Sequence, residues 1–352
     1  MEHKKEFEEL VLTVLREGGS DLHIGAGRVP AVRVFGELSF LVKHPVMSQD
    51  DMLAILALVL GREKLEQFRE KKEIDFSYDF RGEARLRGNA FFQKGMITAA
   101  FRLIPPVRTL EELNLPPILK DIARRKQGFF LVVGPAGQGK STTLSAMVNV
   151  INQEQTRNII TIEDPIEHLH VPAKSIISQR EVGIDTTDFH TALKSAFRED
   201  VNVIMIGEMR EPETISSAVT ASETGHLVFS TLHTNNAAQT IDRIIDSFPG
   251  NQQDQIRVQL ASSLLGIFSQ RLLPKISGGL VPAYELLLNN SAVAHLIREK
   301  RTHEIDVVIE TGSESGMVDL NHSLMELIRS GEISIESATS VSLNPKGLSG
   351  LK

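Results

Sequence analysis

Gly134-Pro135-Ala136-Gly137-Gln138-Gly139-Lys140-Ser141-Thr142 places glycines, a lysine and two hydroxyls where they can hold a polyphosphate. The pattern is that of a phosphate-cradling loop, with the strand-forming run FFLVV before it and the helical spacing of Leu144, Met147, Val148 and Ile151 after it. Several backbone N–H groups must point inward at such a ligand, and side chains on Gly134, Gly137 and Gly139 would prevent so close an approach. Lys140 would neutralise the β and γ phosphates, the following helix N-terminus would add its dipole, and the Ser141 hydroxyl would ligate magnesium. The expected ligand is Mg-ATP. A glycine-rich turn that binds nothing is the bland alternative, and the flanking strand and helix argue against it.

Hydrolysis of a phosphoanhydride also needs a carboxylate to position or activate water. Glu208 ends the apolar run VNVIMI and is assigned that role, with Gly207 standing where many enzymes with this loop carry a magnesium-binding aspartate. Glu163 and Asp164 follow the run NIITI, and Glu163 is preferred as the group facing magnesium and the attacking water. Either could instead cap a helix or sit in a solvated turn. His226 and His233 flank the run LVFS. For His226, a nucleotide contact and a satisfied structural histidine are equal readings. His233, among threonines past the strand end, is expected to sense the γ-phosphate.

These groups need a scaffold that brings them to one place. The runs Phe129 to Val133, Asn158 to Ile162, Val201 to Ile206 and Leu227 to Ser230 alternate with helical patterns, which predicts a parallel sheet covered by helices. Each run leads into one of the polar groups above, so the groups would meet outside the carboxyl ends of the strands. The first hundred residues read differently. An amphipathic helix carries Phe7, Leu10, Val11, Val14 and Leu15 and stops at Gly18-Gly19. Strand segments at 22–24 and 31–35 follow, then a helix starting near a Ser48 cap with Asp51, and strands at 75–79, 84–92 and 96–103. The expected division is a small α+β domain over 1–103, a linker over 104–112 marked by Pro105-Pro106, an ATPase core over 113–290, and a helical region with a tail over 291–352.

Composition removes several classes of chemistry. The chain has 352 residues and no cysteine, so disulfides, thiolate metal sites and cysteine nucleophiles are excluded and a reducing cytoplasm fits best. The longest apolar run, Met52 to Leu60, is far short of a membrane span, so membrane association is expected only through a partner. A net charge of −7 and the lack of interleaved aromatic and basic residues argue against nucleic acid as a partner.

Taken together, these segments resemble the secretion ATPase superfamily of type II secretion and type IV pili, most closely its pilus-retraction branch. The resemblance covers nearly the whole chain and rests on GPAGQGKSTT, ITIEDPIEHLH (160–170), VIMIGEMRE (203–211), TGHLVFSTLHT (224–234), SDLHIGAG, SQREVG and TIDRIIDSFP. It implies a homo-hexameric motor with an N-terminal PAS-like domain, a RecA-like P-loop core and C-terminal helices, acting on an inner-membrane pilus platform protein. It further implies that Arg87 and Arg102 of the N-terminal domain approach the nucleotide phosphates. The chain departs from the family at Ala136 and Gln138 in the loop, and at Ala294 and His295 in AVAHLIRE, where relatives carry arginine and asparagine. An accessory retraction or assembly ATPase, or a slow nucleotide-dependent regulator, are the alternative functions.

Overall fold

The computed structural model describes residues 2–34, 37–81, 84–104, 107–345 and 348. Phe35, Pro105-Pro106 and most of the tail beyond Pro345 lie outside the described residues. The chain divides into two compact units, Met1–Pro106 and Val107–Lys352.

The first unit comprises α1 (Glu2–Arg16), β1 (Asp21–Gly25), β2 (Ala31–Val34), β3 (Glu37–Phe40), α2 (Gln49–Lys71), β4 (Glu73–Phe80), β5 (Ala84–Gln93) and β6 (Met96–Ile104). Its strands form one antiparallel sheet in the order β3-β2-β1-β6-β5-β4. Phe7, Leu10 and Val14 of α1 and Met52, Ile55 and Leu56 of α2 share a core with alternate residues of the sheet such as Leu86 and Ala90. Burying each large side chain of this kind stabilises the fold by ~1.5–3 kcal/mol. Ser48 caps α2 as anticipated: its hydroxyl accepts from the Asp51 backbone at 3.1 Å while the Asp51 carboxylate accepts from the Ser48 backbone at 2.8 Å. β3 was not foreseen: ELSF does alternate polar and apolar residues, but four positions are too short a run to stand out, and all four are exposed.

The second unit contains α3 (Ile118–Ala123), β7 (Gly128–Val133), α4 (Lys140–Glu154), β8 (Asn158–Glu163), β9 (Ile176–Glu181), α5 (Phe189–Ala196), β10 (Val203–Ile206), α6 (Pro212–Glu223) and β11 (Leu227–Leu232). It continues through α7 (Ala237–Asp246), α8 (Gly250–Ser263), β12 (Leu264–Pro274), β13 (Leu280–Leu288), α9 (Ser291–Arg298), α10 (Ile305–Thr311), α11 (Leu320–Arg329) and α12 (Ile335–Val341). The sheet order is β13-β12-β7-β11-β10-β8-β9, with every neighbouring pair parallel except β12 with β13. The α/β expectation therefore holds.

The unbroken apolar run of β7 follows from burial on both faces. Phe129, Leu131 and Val133 pack into one core with α5–α8, whereas Phe130 and Val132 join another core with α3 and α4. Among the described residues no helix is long and apolar enough to cross a membrane.

Candidate active site

The parallel pairing of β7, β11, β10 and β8 brings their carboxyl ends to one edge of the sheet. A cavity of about 300 Å³ lies there, lined by the loop from Ala136 to Ser141 and by Glu163, Glu208 and His233. Four separate strand ends thus contribute one group each, as the strand pattern predicted.

The loop between β7 and α4 has the backbone its glycines permit. Gly134, Gly137 and Gly139 have φ of 142°, 75° and 77°, in the region that favours glycine. At Gly134 a Cβ would also lie 2.5 Å from the Gln270 carbonyl oxygen, so even alanine would force the loop away from β12. Lys140 opens α4 and donates through Nζ to the Gly134 and Pro135 carbonyls, each at 2.9 Å. Partial burial pulls its pKa below the ordinary lysine value, and the carboxylates of Glu208 and Glu167 oppose that shift. The ammonium is thereby held over the loop mouth. Thr142 lies in the first turn of the helix, with its hydroxyl 3.2 Å from His168 Nε2.

Glu208 lies just past β10 with its side chain 16% exposed, ion-paired to Arg210 and 3.6 Å from His233 Nε2. The other ring nitrogen of His233 is 3.4 Å from Lys140 Nζ. His233 therefore sits between the loop lysine and the strand-end carboxylate. Glu163, at the end of β8, is almost fully buried. Its Oε1 accepts from Thr161 at 2.6 Å and from Gln179 at 3.2 Å, and its Oε2 from the Glu167 backbone at 3.4 Å. Burial pushes its carboxyl above the usual range, and the Thr161 and Gln179 hydrogen bonds only partly oppose this. Asp164 is exposed in the following turn.

The donor set fits magnesium: the Ser141 hydroxyl and the Glu163 and Glu208 carboxylates are all hard oxygen ligands on one cavity. His226 does not join them. Six residues of β11 separate it from His233, roughly 20 Å at ~3.3 Å per residue. There its Nδ1 lies 3.0 Å from the Ala221 carbonyl and its ring packs edge-on against Phe197. Of the two equal readings of His226, its surroundings within this chain fit the structural one, because the two histidines flank a strand and so occupy its opposite ends.

Two residues of β12 were missed. Gln270 receives the Thr143 hydroxyl at 2.7 Å and donates to the Gln138 carbonyl at 2.6 Å, and the Gln138 side chain in turn accepts from the Leu272 backbone at 2.7 Å. The unusual Gln138 thus ties the loop to the neighbouring strand. Arg271 bridges Gln270 and Asn235. Only the pairing of β12 beside β7, far away in sequence, reveals either contact. Arg210 was legible in VIMIGEMRE as a charge two positions from Glu208, but no spacing rule assigns it a partner.

In the first unit, Arg87 of β5 is directly opposite Arg102 of β6, which is opposite Asp21 of β1, which is opposite Arg33 of β2. Both Arg87 and Arg102 are exposed. Arg102 Nε donates to Asp21 Oδ1 at 2.9 Å. Partial burial opposes ionisation of Asp21, but hydrogen bonds from Ser20 and Arg102 outweigh it and hold the carboxyl below its usual range. Like charges placed directly opposite repel, and Asp21 beside Arg102 and Arg33 offsets part of that repulsion.

Residues 110–329 match the family model described as type II/IV secretion system protein. The type IV pilus retraction ATPase PilT of Pseudomonas aeruginosa is 43% identical over 94% of this chain and 96% of its own length. The type IV pilus ATPase PilU of the same organism is 41% identical over 95% of this chain and 87% of its own. A crystal structure of the pilus retraction motor PilT with bound ADP superposes with a TM-score of 0.90 at 44% identity, covering 98% of this chain and 99% of that one. This chain belongs to the type II/IV secretion system protein family, alongside pilus ATPases that match it over more than nine-tenths of its length.

Proposed function

We propose that the chain is a cytoplasmic, hexameric ATPase that powers retraction of a type IV pilus. The observation that carries the reading is the convergence of Lys140, Glu208, Glu163 and His233 on one glycine-walled cavity, in a chain similar over nearly its full length to a retraction motor solved with ADP. Lys140 and the loop N–H groups hold the β and γ phosphates of ATP. Glu208 takes a proton from the attacking water as its oxygen bonds to the γ phosphorus; the bond to the β,γ-bridging oxygen breaks, and ADP departs. Ser141, Glu163 and Glu208 would hold magnesium, which when bound would neutralise charge on the phosphate oxygens. His233, between Lys140 and Glu208, links the state of the γ position to the loop that follows β11.

In this reading Arg87 and Arg102 serve the nucleotide of a neighbouring subunit, and the opposed pair of guanidiniums supports it. A planar fork suits phosphate oxygens as charge develops, and Arg102 can exchange Asp21 for that partner. Successive closure around the ring would act on a pilus platform protein in the inner membrane.

The similarity to PilU and the presence of Ala294 and His295 in α9 favour one second reading, an accessory retraction ATPase. Deletion in the cells that encode the protein separates the two. We expect deleted cells to keep assembled pili that no longer shorten, with retraction restored by the wild-type gene and not by Arg102→Ala. Undiminished retraction in deleted cells would support the accessory role, and loss of pili would point to assembly.

A further inference from the structure

The segment after β11 carries His233, and three side chains of the β12–β13 hairpin hold its far end. Ser269 Oγ and Arg271 Nη2 both donate to the Asn235 carbonyl, at 2.9 and 2.8 Å, and Arg271 Nη2 also reaches Asn235 Oδ1 at 3.3 Å. Two residues further on, Glu285 Oε1 accepts the Ala237 backbone N–H at 2.7 Å, at the first turn of α7. Arg271 Nη1 meanwhile donates to the Gln270 carbonyl at 2.9 Å. That carbonyl is the one Gly134 approaches, and the Gln270 side chain grips the phosphate loop.

Glu285 and Arg271 are 7% and 6% exposed. Burying charged groups costs several kcal/mol each unless partners compensate, and apolar residues would fill a core at lower cost. What these two add, and apolar residues could not, is a fixed position for the backbone between Asn235 and Ala237.

We propose that Glu285 and Arg271 are positioning residues that set His233 against Lys140 and Glu208, coupling the His233 loop to the phosphate loop through the β12–β13 hairpin. The inference rests on the ATPase reading of the cavity. Neither residue lines that cavity, so they act through His233 and not on substrate.

Glu285 faces Arg271 from β12, the Ala237 N–H from α7, Asp306 from α10 and Asp319 just before α11. Burial, joined by the two aspartates, pushes its carboxyl up to about 7, against the opposing hydrogen bond from Ala237 and the charge of Arg271. Its charge, and with it the pull on Arg271, therefore switches on near neutral pH.

The test is ATP turnover from pH 5.5 to 8.5 for wild type, Glu285→Gln and Arg271→Lys, with binding of a fluorescent ADP analogue measured beside it. Glutamine keeps an acceptor for Ala237 but cannot ionise. The wild-type kcat should show an inflection near pH 7 that Glu285→Gln lacks. At pH 8 both variants should lose ~10-fold or more in kcat, with KM and analogue affinity within twofold of wild type. Thermal unfolding checks the ionisation independently. A raised carboxyl pKa means the folded state holds the proton more tightly, so this group's stabilisation is full below about 4.5 and is lost as pH rises through about 7; Glu285→Gln should lack that decline. An inflection that survives in Glu285→Gln, or kcat and KM that move together in both variants, overturns the proposal. Should Glu285→Gln not fold, Arg271→Lys with unchanged kcat would overturn it alone. A wild type that binds the analogue without turnover would instead refute the ATPase reading.

Discussion

Replacing Glu208 by glutamine should reduce steady-state ATP turnover by at least ~100-fold while nucleotide stays bound, since a positioned general base contributes ~10²–10⁴ in rate. Glutamine matches the shape of glutamate and can still meet Arg210 and His233, but it cannot take a proton from water. The side chain is mostly enclosed at the end of β10, where few waters compete for it. Binding should be preserved because Lys140 and the loop backbone hold the phosphates and glutamine keeps an oxygen for magnesium. Phosphate release and analogue binding, measured on one preparation, separate the two effects. Turnover within about threefold of wild type would move the base to Glu163, the other enclosed carboxylate of the cavity.

Lys140→Ala should act on binding as well as chemistry. Its Nζ donates to the Gly134 and Pro135 carbonyls at the loop mouth, and phosphate oxygens are stronger acceptors for the same hydrogens. Hydrogen bonds to charged groups are worth ~1.5–3 kcal/mol, so nucleotide affinity should fall by ~10- to 100-fold and turnover by more. Fold stability should change little, because burial already disfavours this ammonium, as its lowered pKa shows. Calorimetric titration with ADP, alongside thermal unfolding, checks both points. Unchanged affinity would mean that the glycine loop is a structural turn.

Most of the cavity could be read from the chain because its groups are local to strand ends. The phosphate loop, Glu163, Glu208 and His233 each follow an apolar run directly, and parallel pairing then makes sequence position a guide to spatial position. The same logic separates His226 from His233. His226 precedes β11 where His233 follows it, and proximity in sequence along a strand means separation in space.

The contacts from Gln270, Arg271 and Glu285 are of another kind. They reach the loops across the sheet from residues more than a hundred positions beyond the phosphate loop, as in Thr143 with Gln270, and no local periodicity encodes them. In the first unit, the Ser48 and Asp51 cap was legible because both partners sit within one helical turn. The Arg87 and Arg102 pairing depends on the register of β5 against β6, which the run lengths alone leave open.

Ala294 and His295 lie on α9, with Ala294 partly buried against the core and His295 exposed. Nothing in the structure explains why this helix departs from its relatives at these two positions.

A hexameric ATPase is tested most directly by phosphate release from the purified wild-type chain with ATP and magnesium, measured with its mass in solution. That function predicts saturable turnover by a hexamer, abolished when the divalent cation is chelated. Tight ATP binding by a monomer without turnover would contradict it, and would leave a nucleotide-dependent regulator as the reading of this site.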